Sequence, residues 1–300
     1  MAQVAVSEDP LAGLDEARLE RLARLAGHLL RGRPLHHGGR LIHPRSAAGG
    51  LEFVDHRAMM PGDDPRHLDW RASARSIQPL VRRYRDERAG EWLLCLDRSA
   101  SMAAAEGVWP MAQRLTAALG FLLLNLEQRV GLALFSEGLD ELLPPGRGRA
   151  GYIALRRILV STTPRSSGGA SRLESCLPLL RSHRQAAVIS DFLRPDGLRG
   201  ALNGVIHRCD LVHVLRVTSA AGPRLPDGPL VVEDVESAER LSIRADAGLE
   251  DRLTARHTAL GRDLELFCRR RGAVCSTSRA DASWERVLLD HLVRPEARLA

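Results

Sequence analysis

A chain of 300 residues with 44% hydrophobic and 27% charged content makes one large domain or two smaller ones, and its composition is globular. All 43 basic residues are arginine, and the absence of lysine excludes a Walker A loop, a Schiff-base lysine and a protein-kinase lysine. The net charge of +6 is gathered early, since residues 18–88 hold fifteen Arg against eight Asp and Glu.

Residues 1–10 lack the basic start and apolar run of a secretory signal. The longest uncharged apolar stretch, 115–126, is too short to span a bilayer. The five cysteines form no C-x-x-C pair, and three sit in apolar runs, which fits buried thiols in a reducing compartment rather than a zinc site. The expectation is a soluble, cytoplasmic protein.

In chain order, residues 11–30 read as an amphipathic helix, with Leu14, Leu19, Leu22, Leu25 and Leu29 near a 3.6 period. Residues 31–50 lose that period among glycines, prolines, four arginines and three histidines, and read as a basic loop. His36, His37 and His43 within it have the chemistry of metal ligands, but a solvated loop accounts for them more simply. Pro61-Gly62-Asp63-Asp64 has turn chemistry, and residues 69–75 read as a short helical turn whose Asp and Arg pair to pin this segment. An edge strand leading into the core is expected at 80–86.

Beyond it, apolar runs at 92–97, 129–136, 186–191 and 210–217 read as buried strands, and 273–277 as a last one. Helices are expected at 109–127, 152–160, 173–183, 197–207, 249–271 and 284–292. A turn is read at 144–151, a loop at 161–169, and an edge hairpin within 219–247. Alternating strands and helices imply an α/β fold with a doubly wound, mostly parallel sheet of Rossmann type, preceded by a helical, basic extension. The domains expected are 1–50, 51–88 and 89–300, the last with a β-rich insertion near 219–247.

The run 92–102, W-L-L-C-L-D-R-S-A-S-M, ends a strand in Asp97 and follows it with Ser99 and Ser101. Along an extended segment, side chains two apart point the same way, so these three oxygens can converge. A second strand ends in Asp191, and the Gly-rich loop before 173 offers Ser171. In open parallel sheets, ligands bind beyond the carboxyl ends of strands. Two carboxylates there repel unless a cation separates them or one takes a proton. Asp97, Ser99, Ser101, Ser171 and Asp191 make an oxygen-only set of the kind that suits Mg²⁺, which retains waters and leaves a position for an outside carboxylate.

D-x-S-x-S, a Gly-rich loop with a hydroxyl residue and a strand ending in S-D together resemble the metal-ion-dependent adhesion site of von Willebrand factor A domains. The upstream passage P-G-D-D-P-R-H-L-D-W-R-A-S-A-R, residues 61–75, resembles the bacterial family labelled domain of unknown function 58, which joins such a motif to an A-type domain. The resemblance runs from about residue 50 to the C-terminus. It implies Asp97, Ser99, Ser101, Ser171 and Asp191 as ligands of Mg²⁺, with Mn²⁺ or Ca²⁺ as alternatives. The family usually has Thr where this chain has Ser171, which keeps the hydroxyl and loses the methyl that fixes its rotamer. The resemblance further implies a non-enzymatic, chaperone-like adaptor. Such proteins work with a MoxR-type AAA+ ATPase on client proteins, and a client supplies an acidic side chain to the metal.

Other readings fit less well. Asp97 as a simple helix cap leaves the second strand-end carboxylate unexplained. A haloacid-dehalogenase-type phosphohydrolase needs a second carboxylate two residues after the first, where this chain has Ser99. Residues 169–173 lack the second glycine of a serine-hydrolase elbow. The Arg-rich N-terminal third suits nucleic-acid phosphates, yet offers only Phe53, Trp70 and Tyr84 for stacking on bases.

Overall fold

The computed structural model describes residues 11, 13–29, 51–59, 68–86, 90–166, 168–180, 184–220, 222, 225–246 and 248–293. The basic loop read at 31–50 and the turn at 61–64 lie outside them. The amphipathic segment forms helix α1 (Glu16–Leu29), which starts later than its periodicity suggests. Asp15 caps it, its Oδ1 accepting the Arg18 N–H at 2.6 Å, so Leu11 and Leu14 are buried from a turn ahead of the helix. Leu19, Leu22 and Ala26 continue that buried stripe.

The described residues fall into two compact units, one within Met1–Arg31 and Glu91–Ala300, the other within Gly32–Gly90. The smaller unit contains strand β1 (Leu51–Ala58), helix α2 (Trp70–Ser73) and strand β2 (Leu80–Asp86). β1 pairs antiparallel with β2, so the strand expected to lead into the core belongs to a separate two-stranded sheet. Asp69 organises this unit. Its Oδ1 caps α2 by accepting the Arg71 and Ala72 N–H groups at 3.0 and 3.1 Å, and its Oδ2 lies 2.9 Å from His56 Nε2. Among the described residues the Asp69 carboxylate thus serves as a helix cap and pairs with a histidine. Ser73 Oγ accepts the Leu80 N–H at 2.8 Å and fastens the same turn to β2.

The larger unit is built on β3 (Glu91–Asp97), the short α3 (Ser101–Ala104), α4 (Val108–Asn125), β4 (Arg129–Phe135), β5 (Leu139–Gly146) and α5 (Gly148–Ser161). There follow a 3-10 helix (Leu173–Leu179), β6 (Arg184–Ser190), α6 (Pro195–Arg208), β7 (Cys209–Thr218), β8 (Gly228–Glu233), β9 (Arg240–Ala245), α7 (Leu249–Arg269), β10 (Val274–Arg279) and α8 (Trp284–Val293). Six strands form one sheet in the order β10-β7-β6-β3-β4-β5, parallel except where β5 joins β4. Helices cover both faces, giving a Rossmann-like α/β fold.

β3 sits in the middle because all its residues after Glu91 are apolar up to Asp97 and buried on both faces. Leu93 and Cys95 pack with the 3-10 helix, α6 and α7 through Leu173, Cys176, Leu202 and Leu264. Trp92 and Leu94 point the other way, toward His213 of β7 and Gly120 of α4. α4 is apolar nearly all round because α1, α5 and α8 also pack on it. A Cβ at Gly120 would stand 2.3 Å from Leu155 Cδ2, so glycine here sets how closely α4 and α5 approach.

Three expectations are corrected. The turn read at 144–151 is occupied by the end of β5 and the start of α5; β5 is an exposed edge strand whose prolines sit where Pro is tolerated. In the described part of the helix read at 173–183, Leu173–Leu179 form a 3-10 segment that contains Pro178, which has no N–H to donate; 181–183 lie outside the described residues. The hairpin within 219–247 forms, but β8 and β9 make their own two-stranded sheet instead of extending the main one. No disulfide forms among the described residues, and no described helix is long and apolar enough to cross a membrane.

Candidate functional site

The strand order reverses between β3 and β6. The chain leaves β3 toward β4 and β5 on one side, then returns through α5 to β6 on the other. This arrangement opens a crevice at the strands' carboxyl ends, where ligands bind in doubly wound sheets. Asp97 ends β3 there, and Asp191 follows β6.

Asp97 gathers the site. Its Oδ1 accepts the Ser99 N–H at 2.9 Å, and its Oδ2 accepts the Ser171 and Ser190 hydroxyls at 2.9 and 2.8 Å. The Ser99 and Ser101 hydroxyls lie 3.1 Å apart. Asp97, Ser99, Ser101 and Ser171 therefore meet as the sequence suggests, but by a different route. The chain does not stay extended after Asp97. It turns, with the Met102 N–H bonded to the Ser99 carbonyl, so that Ser101 begins α3.

Ser171 is held by a loop strapped to neighbouring strand ends. The Arg165 N–H bonds to the Arg98 carbonyl at 2.8 Å, and the Arg172 N–H to the Ser136 carbonyl at 2.7 Å. Between them, the Gly169 N–H donates to the Glu137 carboxylate. Gly168 has φ +146°, and a Cβ on it would stand 2.7 Å from Glu137 Oε1, so the glycines admit that carboxylate.

After β6 the backbone is strained. Phe192, buried and not a glycine, has φ +50°. The turn is held by the Phe192 N–H on Ser190 Oγ and the Leu193 N–H on Asp191 Oδ1, both at 3.1 Å. Behind it, the buried Arg216 of β7 donates its Nε–H to the Asp191 carbonyl at 3.0 Å and an Nη1–H to the His257 carbonyl at 3.2 Å. Asp191 Oδ2 is buried and has no hydrogen-bond partner among the described residues. An orphan carboxylate oxygen is costly unless it meets a proton or a cation.

Burial raises the Asp97 pKa, against the opposing pull of the Ser99 N–H and the serine hydroxyls. Asp191 is pushed up to about 7, first by burial and then by the charge of Asp97. The Ser101 hydroxyl stands close enough to favour the charged forms of Asp191 and of Glu236, without hydrogen-bond geometry to Asp191 Oδ2. Among the described residues, no group of three or more His, Cys, Asp or Glu is arranged to hold a metal ion. The donors that do converge are mostly hydroxyls, and all are oxygens. Such a set fits a hard divalent cation and does not fit a soft one.

Sequence reasoning passed over four residues of this site. Ser190 was legible in the S-D pair that ends the strand. Arg216 and Arg194 carried no local signal. Glu236 lies in the turn between β8 and β9 and comes near Ser101 and the charge of Asp97 only through tertiary folding.

The family model described as Protein of unknown function DUF58 matches residues 55–260. An uncharacterized protein of Mycobacterium bovis is 28% identical over 243 residues, covering 78% of this chain and 76% of the relative, and an uncharacterized protein of Mycobacterium tuberculosis matches equally. Among solved structures, the conserved hypothetical protein BatB from Bacteroides thetaiotaomicron is similar with a TM-score of 0.42 and 17% identity, over 68% of this chain and 97% of that one. The chain belongs to the family of unknown function DUF58.

Proposed function

We propose that this chain is a non-enzymatic adaptor with a von Willebrand factor A-like domain, whose Asp97–Asp191 crevice binds Mg²⁺ and through it an acidic side chain of a client protein. The observation that carries this reading is the orphaned, buried Oδ2 of Asp191 beside Asp97 and three serine hydroxyls at the point where strand order reverses. Ser99, Ser101 and Asp191 are the residues that would contact the ion, with Asp97 and Ser171 positioning them. Mn²⁺ and Ca²⁺ accept the same donors. A bound divalent ion would supply the positive charge that the two carboxylates lack.

Two features argue against a hydrolytic role. Both Asp97 oxygens accept hydrogen bonds from within the chain, which does not present that carboxylate as a nucleophile. Ser99 stands where a dehalogenase-type enzyme needs its general acid. The partner assignment, a MoxR-type AAA+ ATPase, follows from the family resemblance. A lysine-free chain is compatible with that division of labour, since the phosphate-loop lysine would belong to the other subunit.

A pull-down of the MoxR-type ATPase from the same genome tests the reading. With Mg²⁺ present, the wild-type chain is expected to retain the ATPase or its complex with a client. EDTA and Asp97→Ala are each expected to reduce that retention by about tenfold or more. Equal retention by wild type, Asp97→Ala and chelated protein would remove the site from docking.

A further inference from the structure

The donors named above are withdrawn from solvent. Asp97 and Ser99 are 1% exposed, Asp191 5% and Ser101 8%. A client carboxylate reaching them has to get past the residues that bury them, and another acid lies near Ser101. Glu236 lies in the β8–β9 turn, its side chain only 4% exposed, although the hairpin strands expose Val231, Val232 and Leu241. The turn aims it inward: Asp234 Oδ1 accepts the Glu236 and Ser237 N–H groups at 2.8 and 3.3 Å, and Ala238 has φ +57°. Glu236 Oε2 lies 3.3 Å from Nη1 of Arg194, three residues beyond Asp191. The Ser101 hydroxyl borders both Glu236 and Asp191, and the charges of Asp97 and Glu236 act on one another.

Burying a third carboxylate beside two others is unfavourable unless the site needs one. Arg194 offsets it only partly, since that side chain is 54% exposed. The hairpin is well placed to move, because β8 and β9 bond to each other and not to the six-stranded sheet.

We infer that Glu236 is a tethered acidic occupant of the Asp97–Asp191 site: the β8–β9 hairpin seats its carboxylate at the position a client's acidic side chain takes, and a client binds by displacing it. This rests on the cation reading above. It adds that the unpartnered chain holds its docking position closed, so that affinity for an acidic client is set by competition with the chain's own glutamate.

Mn²⁺ alone serves as the probe, with water-proton relaxation reporting the waters on the bound ion and calorimetry its affinity. In the full chain, Glu236→Gln is expected to weaken Mn²⁺ binding by about tenfold and to raise the relaxivity of the bound ion as water fills the vacated position. Added acetate should lower that relaxivity again in the variant and leave wild type unchanged. Glu236→Asp keeps the charge and shortens the reach by one methylene, and is expected to resemble Glu236→Gln. Thermal melts of each variant confirm that it is folded. If Mn²⁺ binding is lost in Asp97→Asn but unchanged in Glu236→Gln, or if Glu236→Asp behaves as wild type, the glutamate is not the occupant and the cation site stands without it. Absence of Asp97-dependent Mn²⁺ binding in wild type and Glu236→Gln alike would overturn the cation reading itself, and this inference with it.

Discussion

Asp191→Asn is expected to raise the melting temperature of the cation-free protein at pH 8, with the gain shrinking as the pH is lowered toward 4. The folded chain pushes the Asp191 pKa up to about 7 from an ordinary 3.8, so between those values the folded state holds a proton that the unfolded state has released. A raised carboxyl pKa supports the fold below pH 3.8, and that support is lost as the pH rises through 7. The full penalty is about 4 kcal/mol at alkaline pH, a large share of the stability of an ordinary domain. Asparagine keeps the shape and the bond to the Leu193 N–H without the charge. Excess Mg²⁺ should close most of the gap, because a ligand at a hundredfold its Kd stabilises the wild type by about 3 kcal/mol and the variant by much less. Scanning calorimetry from pH 4 to 8, with EDTA and with Mg²⁺, reads both effects. A melting temperature lowered equally at every pH would mean that Asp191 is an ordinary structural carboxylate.

The second large effect belongs to the core, not to the site. Ser276 Oγ, His291 Nδ1, His291 Nε2 and His213 Nδ1 form a buried chain with both contacts at 2.7 Å, and the His213 ring lies tilted against Trp92. Burial pushes the His213 pKa down to about 4. A histidine held neutral supports the fold above its unfolded pKa of 6.5, and this support is lost as the pH falls toward 4. The loss amounts to about 3 kcal/mol. Over pH 4 to 6.5 the His213 and Asp191 effects have opposite signs, so the wild type should show a shallow pH dependence there. Asp191→Asn unmasks the histidine, and its stability is expected to climb steeply with pH across that window. His213→Gln flattens the climb in that background, while costing about 1 kcal/mol at pH 7 through the weakened bond to His291. A double variant that still climbs as steeply as Asp191→Asn alone would place the acid-sensitive group elsewhere.

These two effects also mark what the sequence reveals and what it hides. The near-continuous apolar runs of β3 and β4, and of β6 from Ala186 to Ile189, announce themselves because strands buried on both faces have no polar alternation to obscure them. β5 hides because its L-D-E-L-L-P-P-G sequence is mostly exposed at an edge and carries two prolines. β1 hides because L-E-F-V-D-H-R-A alternates poorly and bulges between Phe53 and Asp55. In the site, the D-x-S-x-S residues and Ser171 were legible by type and spacing, although a turn rather than an extended run brings them together. Glu236 was not legible, since nothing in V-V-E-D-V-E separates an inward glutamate from its solvent-facing neighbours until the hairpin is folded. The His213–His291 pair, 78 residues apart, is a tertiary contact of the same kind.

Calorimetric titration of Mg²⁺ into the metal-stripped full chain at pH 7.5, beside Asp97→Asn, decides whether the Asp97–Asp191 crevice is a cation site. A single binding event is expected in wild type, weakened by roughly a hundredfold in the variant while its far-ultraviolet spectrum is unchanged. No heat of binding in wild type, or the same isotherm for both proteins, would contradict it.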